Sequence, residues 1–191
     1  MKVVTLLGSP RVNGNTATLA KVFNETAEKL GADVQTFMLN NLVYKGCQAC
    51  EICKTKLDRC VIKDDLAPIL ESVKHADILV LATPVYFADV SSQLKTFVDR
   101  CYSYLNPYQT VPDSSRLEPG KKMVFIITQN HPNGDFFTDI STKYSQIFQL
   151  LGFQDNYLIR GCDLLAVDDL RTKNREDLID LTKETAQKLI K

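Results

Sequence analysis

The sequence predicts a doubly wound α/β fold: a five-stranded parallel sheet, order 2-1-3-4-5, held between two layers of helices. Continuous apolar runs at Val3–Leu7, Ile78–Ala82 and Met123–Thr128 are too short for helices and do not alternate. Strands buried on both faces read this way. Amphipathic helical segments separate these runs, and repeated strand–helix alternation with right-handed crossovers gives a three-layer sandwich.

Each element has its own signal. Weaker strands at about Val34–Leu39 and Asn156–Arg160 flank the three central ones. The first helix carries Leu19, Val22, Phe23, Ala27 and Leu30 at helical spacing, and the second carries Leu66, Ile69, Leu70 and Val73. Leu94, Phe97, Val98 and Cys101 mark the third, Ile140, Tyr144, Ile147, Phe148 and Leu151 the fourth, and Leu178, Leu181 and Leu189 the fifth. Gly31 and Gly152 stand where the first and fourth helices stop, Ser91 and Asn174 can N-cap the third and fifth, and Pro68 fits only an opening turn.

The 191 residues carry no linker-like stretch, so one domain over 1–191 is expected, with a cysteine-rich insertion at 44–61 and a long aperiodic loop at 102–120. Lys plus Arg and Asp plus Glu both number 23. A balanced chain has no field to recruit nucleic acid or anionic membrane. No apolar run approaches the roughly 20 residues needed to cross a bilayer. The N-terminus runs straight into a strand without a secretory pattern, which predicts a cytoplasmic protein.

In such a sheet the ligand lies beyond the carboxyl ends of the strands, beside strand 1. There the chain reads Gly8-Ser9-Pro10-Arg11-Val12-Asn13-Gly14-Asn15-Thr16 and then enters the first helix. Gly and Asn let several main-chain N–H groups face one point, and the helix N-terminus adds partial positive charge, which favours a phosphate. Ser9, Asn13, Asn15 and Thr16 offer side-chain donors, and Arg11 a charge. Neither a Walker Lys-Ser/Thr pair nor G-x-G-x-x-G is present, so a mononucleotide with a terminal phosphate remains. After strand 3, Thr83-Pro84-Val85-Tyr86-Phe87 puts adjacent aromatics at the same sheet edge, a flat wall for a planar ring. His131, in the loop after strand 4, reads as a solvated loop histidine.

Four of the six cysteines, Cys47, Cys50, Cys53 and Cys60, fall within fourteen residues. Three thiolates at i, i+3 and i+6, with a fourth a few residues on, can ligate one [4Fe–4S] cluster. A redox dithiol such as Cys50/Cys53, structural zinc, and cysteines packed along one helical face are the other readings. Cys101 and Cys162 read as packing residues.

Gly8–Thr16 (GSPRVNGNT), Thr83–Phe87 (TPVYF) with Ser91–Arg100 (SSQLKTFVDR), and Cys60–Leu66 (CVIKDDL) together resemble the NADPH-dependent FMN reductase branch of the flavodoxin-like superfamily. The resemblance implies that Ser9, Arg11, Asn13, Gly14, Asn15 and Thr16 hold the phosphate and ribityl end of FMN, and that Pro84, Val85, Tyr86 and Phe87 line the flavin. With the compact cysteine motif added, the chain resembles the iron-sulfur flavoproteins. That resemblance implies a [4Fe–4S] cluster on Cys47, Cys50, Cys53 and Cys60, and homodimers or homotetramers in which one subunit's cluster lies near a neighbour's flavin.

The leading expectation is therefore an electron-transfer flavoprotein working with a donor or acceptor such as a ferredoxin-like protein, NAD(P)H or a small molecule. The cofactors carry the chemistry, so no acid–base residue is assigned. Two alternatives stand beside it: a cluster-free NAD(P)H-dependent flavin or quinone reductase, and a non-catalytic zinc- or nucleotide-binding interaction module.

Overall fold

A computed structural model describes residues 1–107 and 115–190. Its order is β1 (Lys2–Leu7), α1 (Asn15–Lys29), β2 (Asp33–Met38), α2 (Ile52–Thr55), α3 (Leu66–Lys74), β3 (Ile78–Tyr86), β4 (Asp89–Val90), α4 (Ser92–Arg100), β5 (Lys121–Thr128), α5 (Thr138–Leu150), β6 (Phe153–Gly161), α6 (Asp169–Thr172) and α7 (Glu176–Leu189). The five long strands are parallel, in the order β2-β1-β3-β5-β6. This is the expected 2-1-3-4-5 topology. The two-residue β4 is an addition, pairing antiparallel with the end of β3.

The apolar runs are buried on both faces. Val4, Leu6, Leu79, Leu81, Met123 and Phe125 face one core with α3, α4 and α5. Their neighbours Val3, Ile78, Val80, Val124 and Ile126 face a second core with α1 and α7. Consecutive side chains of a strand point to opposite faces, so only an unbroken apolar run can fill two cores. Each fully buried side chain of this kind contributes roughly 1.5–3 kcal/mol.

Helix ends follow the expected signals with one exception. Gly31 (φ +87) and Gly152 (φ +100) adopt the left-handed conformation just past α1 and α5. The Ser91 side chain accepts from the Leu94 N–H at the start of α4. Asn174 does not cap α7; Arg175 occupies that position, and Asn174 (φ +50) donates its N–H to Arg171 O, so it ends α6 instead. Leu181 and Leu30 lie outside the core at 41% and 49% exposure, because their helices turn those positions to solvent. The short helices α2 and α6 have no periodicity long enough to announce them.

The centre of the predicted loop 102–120, residues 108–114, lies outside the described residues. Its two ends are tied down. Tyr104 is buried and donates its hydroxyl to Leu70 O at 2.7 Å, and the Arg116 N–H bonds Tyr104 O at 2.7 Å. Among the described residues, no helix is long and apolar enough to cross a membrane.

Candidate functional site

The carboxyl ends of β1, β3 and β5 meet at one edge of the sheet, where Gly8, Pro84 and Thr128 follow the register of the strands. Gly8 donates its N–H to Ala82 O at 2.8 Å, which presses the loop after β1 onto β3. A Cβ on Gly8 would lie 2.7 Å from Ser91 Oγ and 3.0 Å from Leu94 Cβ, so only glycine lets the loop cross the first turn of α4.

Beyond Gly8 the loop is self-bonded: the Arg11 N–H donates to Ser9 Oγ at 3.1 Å, and the Gly14 N–H to Arg11 O at 3.1 Å. Gly14 then starts α1 in an extended conformation, and no side chain caps the helix. The first N–H groups of a helix have no intrahelical acceptor, so an uncapped N-terminus presents donors and partial positive charge together. Ser9, Gly14, Thr16, Pro84, Thr128 and Asn130 line a cavity of about 190 Å³ in front of it. Thr16 and Thr128 share a hydrogen bond between hydroxyls at 2.5 Å.

The loop after β6, absent from the sequence reading of this site, completes the cavity with Leu164 and Leu165. Arg11 Nη1 donates to Leu165 O at 2.8 Å. Asn15 Nδ2 donates to Ala166 O at 2.7 Å, while Asn15 Oδ1 accepts from the Leu170 N–H at 3.2 Å. The oxygen and the nitrogen of the Asn15 amide thus both bond this loop, and the main-chain N–H of Asn15, in the first turn of α1, has no intrahelical acceptor. Asp169 braces the same loop by accepting from Leu165 N and Ala166 N at 2.6 and 2.9 Å. Desolvation pushes its carboxyl up, but those donors and Lys173 outweigh it and hold it below the ordinary range.

The aromatic turn is a hairpin. β3 runs on to Tyr86, Val85 and Tyr86 pair with Val90 and Asp89, and Phe87 and Ala88 form the tip with φ of +45° and +65°. Two successive positive φ values are the pattern of the tight turns that match strand twist, a pattern normally supplied by Asn-Gly. A bulky Phe there is strained, and Phe87 stands fully exposed. Lys143 holds the hairpin to α5 through Asp89 at 2.8 Å. Burial raises the Asp89 carboxyl, but Lys143 and the Val90 N–H outweigh that and bring it below its usual value.

A second, open cavity of about 380 Å³ adjoins the first, sharing Val85 and Asn130 and bounded by Phe87, His131 and Phe137. His131 stacks on Phe136 at 4.0 Å between ring centres, and its Nδ1 accepts from the Asn133 N–H at 3.1 Å. Of the predicted residues, Ser9, Arg11, Gly14, Asn15, Thr16, Pro84, Val85 and Tyr86 line the inner cavity, Val85 and Phe87 the outer one, and Asn13 neither. Thr128 and Asn130 were legible as the end of a central strand, whereas Leu164 and Leu165 had no local signal.

Cys47, Cys50, Cys53 and Cys60 rim one concavity together with Arg100 and Tyr102. All are free thiols, and left-handed Ala49 (φ +49) and Glu51 (φ +56) fold the segment back on itself. Only Cys53 lies in a helix, the short α2, and Cys47 and Cys50 are exposed, so the four do not pack along one helical face. Among the described residues, no three His, Cys, Asp or Glu side chains converge as ligands of a single metal ion. Lys54 bonds Tyr102 O and Leu105 O and lies 4.0 Å above the Tyr102 ring, anchoring α2. Burial pushes the Cys53 thiol up, with Lys54 opposing, and burial pushes the Lys54 ammonium down. Cys101 is fully buried in the core, as expected. The nine residues of α4, about 13 Å of helix, separate Ser91, against which Gly8 packs, from Arg100, which bonds Cys60.

The chain is similar over 105 residues to an iron-sulfur flavoprotein of Methanocaldococcus jannaschii, at 37% identity, covering 55% of this chain and 52% of the relative. A second iron-sulfur flavoprotein of that organism is 41% identical over 101 residues, 52% of this chain and 51% of the relative. The chain thus matches about half the length of these curated relatives. Among solved structures, an FMN-dependent NADH-azoreductase from Bacillus anthracis in complex with FMN superposes with a TM-score of 0.77 at 20% identity, covering 100% of both chains, which is a likeness of fold. The profile described as NADPH-dependent FMN reductase matches residues 1–135, and it is to this family that the chain belongs.

Proposed function

We propose that the chain is an FMN-dependent oxidoreductase that moves electrons between FMN, a [4Fe–4S] cluster and a partner protein, NAD(P)H or small acceptor. The observation that carries the FMN assignment is the uncapped N-terminus of α1, opening on a cavity lined by buried Ser9 and Thr16. Such a terminus suits a dianionic phosphate. Ser9, Arg11, Gly14, Asn15 and Thr16, which line that cavity, bind it; Asn13 lines neither cavity and is not among them. Pro84, Val85 and Tyr86 on the inner cavity and Val85 and Phe87 on the adjoining open one form the wall for the ring. When bound, FMN supplies one- and two-electron chemistry and the cluster one-electron chemistry.

The donor set fits a cluster. Four free thiols rim one concavity without converging on one point, whereas zinc draws its thiolates to about 2.3 Å of one ion. Cys47, Cys50, Cys53 and Cys60 are the proposed ligands, in keeping with the names of the archaeal relatives. Exposed Val12, Phe87, Leu165 and Val167 surround the site and supply an apolar rim for a second copy of the chain, in a homodimer or homotetramer. Six free thiols suit the cytoplasm.

A cluster-free NAD(P)H-dependent flavin or quinone reductase is the second reading. The family description and the open outer cavity, with room for a flat substrate over the ring, favour it. Purification without oxygen separates the two. One FMN with about four iron and four sulfide per chain supports the cluster. Iron-free yellow protein that oxidises NADPH rapidly supports the second reading, and flavin-free protein with one zinc per chain overturns both.

A further inference from the structure

Among the described residues Arg100 is the largest fully buried side chain, and each of its five N–H donors has an acceptor. Nε donates to Cys60 Sγ at 3.0 Å. Nη1 donates to Lys45 O at 2.9 Å and Asp64 Oδ2 at 2.8 Å, and Nη2 to Ile62 O at 3.1 Å and Asp64 Oδ1 at 3.3 Å. Lys45 lies two residues before Cys47, and Ile62 two residues after Cys60. One guanidinium therefore clasps both ends of the cysteine segment. Asp64 completes the clasp by accepting from the Lys45 N–H at 3.0 Å.

The electrostatics of this arrangement are specific. The forked contact with Asp64 balances the guanidinium charge, and the remaining donor, Nε–H, is spent on sulfur. A carbonyl would be the ordinary acceptor for a buried guanidinium N–H. Here a cysteine of the proposed ligand set takes that place. Hydrogen bonds to cluster sulfurs and the surrounding net charge set cluster potentials, because reduction adds negative charge that donors and cations stabilise.

We propose that Arg100 is a positioning residue of the metal centre: it fixes Cys60 in the ligand set and raises the cluster's reduction potential through Nε–H···Sγ. Asp64 moderates the effect by offsetting the guanidinium charge. The inference rests on the cluster reading and adds to it a residue that ligates nothing itself.

Two substitutions of opposite electrostatic sense test it. Arg100→Lys keeps a cation against Asp64 but cannot supply all five donors, so the Nε–H···Sγ bond is lost. Asp64→Asn keeps Arg100 and removes the charge that offsets it. The readouts are iron content and the cluster's midpoint potential, titrated spectroscopically under anaerobic conditions. Arg100→Lys is expected to shift the potential downward, and Asp64→Asn upward. Loosening of the fold alone would move both in one direction. Shifts of the same sign, or no shift in Asp64→Asn, overturn the proposal; if Arg100→Lys fails to hold iron, the sign in Asp64→Asn alone decides. Wild-type protein prepared anaerobically without iron overturns the cluster reading itself, an outcome visible before either variant is made.

Discussion

Gly8→Ala probes the close approach that places the loop between β1 and α1. The added Cβ lies 2.7 Å from Ser91 Oγ and 3.0 Å from Leu94 Cβ, both on the first turn of α4. Ser91 cannot swing away freely, because its hydroxyl caps Leu94 N and its own N–H donates to Thr83 Oγ1 at 3.0 Å. Either α4 is pushed from the loop, an overpacking that costs about 1–3 kcal/mol, or the cap is lost, which costs about 1 kcal/mol. A loss near 2 kcal/mol lowers Tm by about 4–8 °C in a domain of this size. The same displacement tilts the N–H groups of α1 away from the cavity and weakens FMN binding. The assay is thermal unfolding by circular dichroism, with FMN fluorescence quenching alongside. Ser91→Ala alone costs about 1 kcal/mol, but in the double variant the hydroxyl that meets the new methyl is gone, giving a coupling of about 1 kcal/mol. A Tm for Gly8→Ala within about 1 °C of wild type, or strictly additive costs, refutes the close-approach argument.

Other substitutions probe the remaining contacts. Asn15→Ala removes the two hydrogen bonds that tie α1 to the loop after β6, so it costs about 1–3 kcal/mol and loosens Leu164–Asp169, read as faster amide exchange there. Cys53→Ser is expected to lose iron and keep flavin, measured by metal analysis and visible absorption; loss of both would show that the cysteine segment supports the flavin pocket. Asp89 has a depressed carboxyl, so its contribution is full above the unfolded value of about 3.9 and fades as pH falls through the lower folded value. The pair with Lys143 is partly exposed, which limits the gain to about 0.2–1 kcal/mol. Asp89→Asn should therefore be slightly less stable than wild type at pH 7 and converge with it in acid; a constant difference down to about pH 2 contradicts this.

The sheet was legible because strands buried on both faces must be apolar throughout, and three such runs also fixed the edge where Gly8, Pro84 and Thr128 meet. Ser91 declared itself as a cap by residue type. The hairpin at Phe87–Ala88 did not, since its two positive φ values fall on residues that carry no turn signal. Asn15 reads as a phosphate donor in sequence. Its partners Ala166 and Leu170 are more than 150 residues away, and only the fold brings them to it. Asn174 misled for a related reason: the same tolerance of left-handed backbone that suits Asn to turns lets it end one helix instead of starting the next. The cysteine spacing was explicit, but the guanidinium that clasps its ends comes from another helix, 40 residues beyond Cys60.

The central claim is that a phosphate, and specifically that of FMN, sits at the open N-terminus of α1. Comparing the affinities of the flavin-stripped protein for FMN and riboflavin tests it directly, because the two ligands differ only in that phosphate. Two charge-assisted hydrogen bonds of about 1.5 kcal/mol each amount to a factor of roughly 100 in affinity. FMN is predicted to bind at least about 100-fold more tightly than riboflavin; equal affinities would contradict the account.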